Sequence, residues 1–404
     1  MKNKILKKDK KYLWHPFTQS KYSNPPIIVS SAENENIFDI DGNKYIDLIS
    51  SWWVNTHGHC KKEIIEQIHN QAKIIEQVLF AGFTHSPAVD LAESLVNLIP
   101  KSINKVFFSD NGSTAVEIAL KVAIQYWYNK GLKNKNKFMA FNRGYHGDTF
   151  GAMSVGFSSG FYEPFKDSVN ESFFFKFPEN WNGNNHIEES EKQSLDEVKK
   201  IIKKNKNQIA AVILEPLIQG ASGMRICRKN YLDELVKIFK DSGIIVIFDE
   251  VMTGFGRTGK MFALNHLTES PDIVCLAKSL TGGYIPLAAT IFNEKIHNEF
   301  VNNDFKKTFL HGHTFTANPV ACSAALASLS LFKKEKTFEK IRLINQIHKR
   351  SLLELSKKCK VSKIRTLGSI AAFDYNEIDI NYGSKQGEKL KSSFLENGLL
   401  LRPI

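Results

Sequence analysis

Five consecutive apolar residues, Ile244 through Phe248, run straight into an acidic pair, Asp249 and Glu250. A run that is apolar at every position has no face to give to water. It therefore reads as a strand covered on both sides, inside a parallel sheet flanked by helices. A helical pattern over 231–241 precedes it and ends at Gly243, and the next apolar run, Ile273 to Ala277, ends on Lys278. Ligands of open parallel sheets sit at the carboxyl ends of the strands, so Asp249 and Lys278 are expected to face one crevice. Two buried strands that each end in an ionisable group mark a candidate active site.

The pairing of residue types narrows the chemistry. Pyridoxal phosphate needs two groups from its protein, an amine that bonds to its aldehyde and a carboxylate that pairs with its ring nitrogen. The carboxylate favours the protonated ring, which is the better electron sink, and the released lysine can then move protons. Two simpler readings compete. Gly254-Phe255-Gly256-Arg257-Thr258-Gly259 has the spacing of a dinucleotide fingerprint, but five residues that include the acidic pair separate it from the strand, and such a fingerprint opens directly from one. A structural ion pair accounts for Asp249 without explaining Lys278.

Asp249-Glu250-Val251, the glycine-rich turn 254–259 and Lys278 within Ala277-Lys278-Ser279-Leu280-Thr281-Gly282-Gly283 together resemble the class III (fold-type I) aminotransferases. The resemblance implies pyridoxal 5'-phosphate as cofactor and Lys278 as the catalytic residue. It also implies an α/β fold, with a mostly parallel doubly wound sheet in a large domain and a small α+β domain built from both chain ends. Residues 1–59 are expected to form the amino-terminal part of the small domain and a substrate-pocket segment, 60–319 the large cofactor-binding domain, and 320–404 the rest of the small domain. Family members continue beyond an Arg-Pro pair like Arg402-Pro403, so the small domain is expected to be shortened here.

At 404 residues and 42% hydrophobic, the chain can bury the core of one large domain and a smaller one. Its five cysteines are scattered and lack any C-x-x-C pair, which fits a reducing compartment. The lysine-rich amino terminus runs into Tyr12-Leu13-Trp14-His15-Pro16 without the apolar core of a signal peptide, and no run approaches the ~18 apolar residues of a membrane span. A soluble cytoplasmic enzyme without a membrane partner is expected. The net charge of +12 raises nucleic acid as a partner. The lysines lie in Asn-interleaved stretches such as 130–137 and 203–207 with no aromatic interleaving, so they read as solvated faces, and no nucleic-acid partner is expected. His57, His59 and Cys60 have no second ligand pair, so no metal site is expected.

In chain order, Trp14 to Gln19 reads as an aromatic anchor, and Asp41-Gly42 as a hairpin turn between 37–40 and 44–48. Helices are expected over 62–79 and over 87–98, the second opening at Pro87. A strand at 106–108 leads to Gly112-Ser113-Thr114 and a helix, an arrangement that makes an anion site, although a plain Ser/Thr cap would look the same. A strand at 138–141 precedes Arg143 to Ala152, where Tyr145 is placed to stack on a flat ring. Residues 157–195 form an excursion with no assignable parts. Further strands are expected at 210–214, ending in Glu215-Pro216, and at 288–292, with helices over 195–204, 319–332 and 335–357. The repeated order of strand then helix supports a doubly wound sheet.

By the resemblance, Gly112, Ser113, Tyr145, Asp249, Lys278, His313 and Thr314 hold the cofactor. Tyr145 covers its ring, and Thr314 reaches the phosphate held by a neighbouring subunit, which implies a homodimer. Phe17, Trp52, Tyr145, Lys278, Gly312 and Arg402 line the substrate site, where the planar fork of Arg402 suits a carboxylate. Family members often carry proline where this chain has His313 and tyrosine where it has Phe17. Trp14 to Gln19, Ser51-Trp52-Trp53, Gln125-Tyr126-Trp127, Gly144 to Ser154 and Leu401-Arg402-Pro403 resemble one branch of the family. That branch converts 8-amino-7-oxononanoate to 7,8-diaminononanoate in biotin synthesis, with S-adenosylmethionine as amino donor. Some relatives use lysine instead, and other class III branches act on ornithine, 4-aminobutyrate or acylated diamines.

Overall fold

The computed structural model describes residues 1–21, 24–156, 162–375 and 384–403. Residues 157–161, where the unassigned excursion begins, and Ile404 lie outside them. The chain forms two compact units.

The smaller unit comprises Met1–Trp52, Gly58–Lys61 and Ile380–Pro403. Strands β1 (Val29–Glu33), β2 (Asn36–Asp39) and β3 (Lys44–Asp47) pair antiparallel in sequence, and Leu399–Leu400 adds parallel to β3. The expected turn at Asp41-Gly42 joins β2 to β3. Gly42 takes a φ of +86°, and the Asp39 carboxylate accepts the N–H groups of Asp41 and Asn43 at 2.9 and 2.8 Å.

In the larger unit, strands β4 (Ile103–Ser109), β5 (Lys137–Phe141), β6 (Ser172–Phe175) and β7 (Ile209–Leu214) come first. A short hairpin follows, β8 (Ile218–Gln219) and β9 (Arg225–Ile226), and then β10 (Ile245–Asp249), β11 (Ile273–Leu276) and β12 (Ala288–Asn293). A last hairpin joins β13 (Val361–Leu367) to β14 (Ile370–Tyr375). The seven-stranded sheet has the order β4-β12-β11-β10-β7-β5-β6. Only β12 runs antiparallel, and it does so to both neighbours, so β4 points the same way as β11. The carboxyl ends of β4, β5, β7, β10 and β11 therefore share one edge.

The apolar run divides as its two-sided burial requires. Val246 and Phe248 join the core on one face of the sheet, and Ile245 and Ile247 join the core on the other. Both faces are dry, and each fully buried side chain of this size contributes about 1.5–3 kcal/mol. This is the doubly wound α/β architecture expected from the alternating pattern.

Some boundaries differ from expectation. The helix expected over 62–79 ends at Ala72, where Lys73 and Ile74 tighten onto Asn70 and Gln71 and the Gln71 side chain donates to the Ile75 carbonyl at 3.2 Å. The helix expected at 195–204 begins at Ile187, with Glu188 and Glu189 in its first turn, where acidic residues meet the positive end of the helix dipole. Among the described residues, no helix is long and apolar enough to cross a membrane, and no group of three His, Cys, Asp or Glu is placed to hold a metal.

Candidate active site

Asp249 closes β10 and is buried beside the sheet edge. Its register partner on β11 is Cys275, so Lys278, just past the end of β11, stands on the adjacent strand end. Lys278 opens a single 3-10 turn, Lys278–Thr281, with a left-handed φ of +46°, and its ammonium lies 5.0 Å from the centre of the Trp53 ring. A non-glycine residue in this region costs on the order of 1 kcal/mol, which the buried turn behind it sustains. Ser279 is buried there and donates to the Trp53 carbonyl at 3.2 Å.

Both oxygens of Asp249 are engaged. Oδ1 accepts the Val251 N–H at 3.0 Å, and Oδ2 lies 2.7 Å from His146 Nδ1. Glu250, the other half of the acidic pair, lies just past the end of β10 and turns to other partners. Its oxygens accept Thr253 Oγ1 at 2.6 Å and the N–H groups of Ala263 and Leu264 at 2.9 and 2.7 Å. Complete burial nonetheless pushes the Glu250 carboxyl up to about 7.

From β4 the chain enters the helix Gly112–Asn129 through a capping box. Asn111 Oδ1 accepts the Thr114 N–H, and Thr114 Oγ1 accepts the Asn111 N–H. The cap is therefore Asn111, and Gly112-Ser113-Thr114 forms the first turn of the helix rather than the lead into it. The N–H groups of Gly112 and Ser113 remain at its first turn, where the dipole favours an anion. Gly112 has no space for a side chain, since a Cβ would come 2.6 Å from Val251 Cγ1.

The loop after β5 closes the cradle. Ser113 Oγ accepts the Asp148 N–H at 3.3 Å, and the Tyr145 hydroxyl donates to Asp148 Oδ2 at 3.0 Å. Glu215, just beyond β7, accepts the Tyr145 N–H at 3.0 Å and the Gly220 N–H at 2.9 Å. Burial pushes the Glu215 carboxyl up to about 7, with nearby His146 opposing the rise and Asp249 adding to it.

Gly112, Ser113, Tyr145, Asp249 and Lys278 thus gather at one edge of the sheet. The donor set fits a flat phosphorylated ring: anion-binding N–H groups, an aromatic side chain, a buried carboxylate and an amine. His313 meets the same turn through Asp110, with Nδ1 3.5 Å from its carboxylate, and contacts His311 at 3.3 Å. Gly312 and Thr314 are exposed, and the Thr314 carbonyl accepts Gln77 Nε2 at 2.7 Å. Phe17, Trp52 and Arg402 belong to the smaller unit. There the Arg402 guanidinium lies 4.2 Å over the Trp52 ring, whose centre is 5.6 Å from that of Phe17. Ser50 to Trp53 all take positive φ, a run of left-handed backbone.

His146 was not singled out from sequence, although it stands in the Tyr145-His146-Gly147-Asp148 stretch. Its place in the loop that follows β5 was the only local signal.

Residues 17–404 match the family model of aminotransferase class-III. The adenosylmethionine-8-amino-7-oxononanoate aminotransferase of Synechococcus elongatus is 43% identical over 393 residues, which cover 97% of this chain and 92% of that protein. The crystal structure of the enzyme of the same name from Methanocaldococcus jannaschii aligns with a TM-score of 0.91 at 40% identity, over 100% of this chain and 92% of that one. An amine transaminase from an uncultivated Pseudomonas species, solved in its PLP-bound form, aligns with a TM-score of 0.91 at 30% identity, over 97% of this chain and 92% of that one. With the family matched over nearly the whole length, and with a carboxylate and a lysine on adjacent strand ends, this chain belongs to the class III aminotransferases.

Proposed function

We propose that this chain is a pyridoxal-phosphate-dependent aminotransferase that converts 8-amino-7-oxononanoate to 7,8-diaminononanoate in biotin synthesis, with S-adenosylmethionine as amino donor. The observation that carries the chemistry is the placement of Asp249 and Lys278 on neighbouring strand ends beside the helix start at Gly112. The choice of substrate is supported by near-full-length similarity to enzymes named for that reaction.

When bound, the pyridoxal ring supplies the electron sink for the carbon that loses its proton. Asp249 would face the ring nitrogen with its carboxylate. Gly112 and Ser113 would offer N–H groups and a hydroxyl to the phosphate, and Tyr145 would cover the ring. Lys278 Nζ would take the proton from the donor's carbon in the first half-reaction and deliver a proton to the acceptor's carbon in the second, as a positioned general base and acid does. Arg402 offers its fork to the acceptor's carboxylate, with Trp52 and Phe17 as apolar walls and Gly312 as a wall without a side chain. We further propose a cytoplasmic homodimer in which His313 and Thr314 serve the phosphate held by the partner subunit.

The test mixes purified protein, pyridoxal phosphate and 8-amino-7-oxononanoate with S-adenosylmethionine or lysine, and follows 7,8-diaminononanoate by mass spectrometry. Product with S-adenosylmethionine is expected, and product with lysine alone overturns the donor assignment. Faster turnover of ornithine or 4-aminobutyrate overturns the acceptor assignment. Lys278→Ala should lower turnover by at least about 1,000-fold, because both half-reactions need its amine.

A further inference from the structure

The segment 308–316 runs back along the helix Gly112–Asn129 towards its start. Gln125 Nε2 donates to the Thr308 carbonyl at 3.0 Å, Lys121 Nζ lies 2.9 Å from His311 Nδ1, and His313 Nδ1 lies 3.5 Å from Asp110. Gln125 and Lys121 stand one helical turn apart, so they share a face. Leu310, Gly312, Thr314 and Phe315 are exposed, so polar contacts rather than burial fix the middle of the segment. His311 stands at the centre of these contacts. Its ring stacks on Phe309, with centres 5.4 Å apart and planes 22° from parallel, and its Nε2 is 3.3 Å from His313 Nε2. An ammonium has only donors, so Lys121 donates and His311 Nδ1 accepts. A neutral imidazole then carries its hydrogen on Nε2 and donates it to His313 Nε2, which leaves the Nδ1 hydrogen of His313 facing Asp110. Among the described residues, Lys121 and Glu117 on the helix and His313 on the segment are the charged or titratable groups that act on the His311 ring. Partial burial, Lys121 and His313 hold its imidazole below the ordinary value of 6.5, with Glu117 opposing them.

We infer that neutral His311 is a positioning residue for cofactor binding: it latches the Gly312–Thr314 backbone to the helix that starts at Gly112, and protonation opens the latch. The inference rests on the roles proposed above for His313 and Thr314 at the phosphate held by the partner subunit. A protonated ring carries a hydrogen on both nitrogens. Nδ1 would then meet the Lys121 ammonium as a second donor and a second positive charge, and that contact would be lost. Because the fold disfavours the charged ring, the latch is complete at pH 8 and is lost as the pH falls below about 6.5.

The experiment titrates pyridoxal phosphate into the apo-protein at pH 8 and pH 5.5 and reads its dissociation constant from cofactor absorbance, with the melting temperature of each apo-protein alongside. The variants are His311→Phe, His311→Gln, Lys121→Met and the double variant Lys121→Met/His311→Phe. The cofactor itself titrates alike with every variant, so the ratio of each variant to wild type isolates the latch. At pH 8, His311→Phe keeps a ring against Phe309 but should bind the cofactor about 5-fold more weakly, the range of one hydrogen bond. Lys121→Met should match it, and the double variant should be no weaker than either, since the two residues act as one unit. At pH 5.5 the ratio of His311→Phe to wild type should fall below about 2-fold, because wild type has by then lost the same contact. His311→Gln offers one acceptor and one donor at every pH, so it should match wild type at pH 8 and bind the cofactor more tightly than wild type at pH 5.5. Wild-type affinity in His311→Phe at pH 8, or equal weakening at both pH values, overturns the inference and leaves the cofactor reading intact. A wild-type protein that takes up no pyridoxal phosphate at pH 8 overturns both. If His311→Phe does not fold, Lys121→Met against His311→Gln makes the same comparison.

Discussion

Gly147 sits where the loop after β5 passes over the first turn of the helix at Gly112. Its φ is +125°, and a Cβ there would come 2.2 Å from Ser113 Oγ and 3.0 Å from Ser113 Cα. Gly147→Ala must therefore displace Ser113 or the loop, and both line the proposed phosphate cradle. The variant should bind pyridoxal phosphate at least about 10-fold more weakly, because misplaced hydrogen-bond donors lose on the order of 1–3 kcal/mol. Titration of cofactor absorbance measures this, and an unchanged dissociation constant would remove Ser113 from the cradle. Asp249 and Lys278 could be found from sequence because each ends an apolar run, a local pattern that fixes which end of which strand they occupy. His146 could not be found that way. It meets Asp249 only because β5 and β10 lie on either side of β7, and strand order in a sheet is not written in local periodicity.

The helix Gly112–Asn129 connects β4 to β5 and offers its amino terminus to the site. Asn111 caps it through the Thr114 N–H at 3.1 Å. Asn111→Ala should cost about 1 kcal/mol of stability. A urea midpoint shift with an unchanged slope would report that cost, and no shift would mean that the cap contributes nothing. Elements with one strong signal were legible in the sequence. The strands over 209–214, 245–249 and 288–293 fall within a residue or so of where apolar runs placed them. Boundaries set by side-chain competition were less so. Asn111 was passed over as a cap in favour of its Ser and Thr neighbours, because the sequence does not say which oxygen reaches the N–H first. The helix from Lys62 stops at Ala72 through hydrogen bonds that its apolar spacing does not encode.

On the scale of the molecule, two wholly buried carboxyls link stability to pH. Burial pushes Glu215 and Glu250 up to about 7, from an ordinary value of 4.5. The folded state thus holds their protons more tightly than the unfolded chain does. Their contribution is fully present below the unfolded value and is lost as pH rises through the folded one, so stability should fall between about pH 5 and pH 8. With these values, each group accounts for about 2–3 kcal/mol across that window. The net charge of +12 adds its own pH-dependent repulsion, so the comparison that isolates one carboxyl is wild type against Glu250→Gln. The glutamine cannot titrate. It does turn an amide towards one of the donors that now meet the carboxylate, which shifts the stability difference by a constant at every pH. The slope of that difference reports the titration. Urea unfolding of the apo-proteins at pH 5, 6, 7 and 8 should show Glu250→Gln gaining on wild type by about 2 kcal/mol from the lowest pH to the highest. A flat difference would mean that the three donors around Glu250 hold its carboxylate ionised throughout, outweighing its burial, and that the pH sensitivity of the fold lies elsewhere.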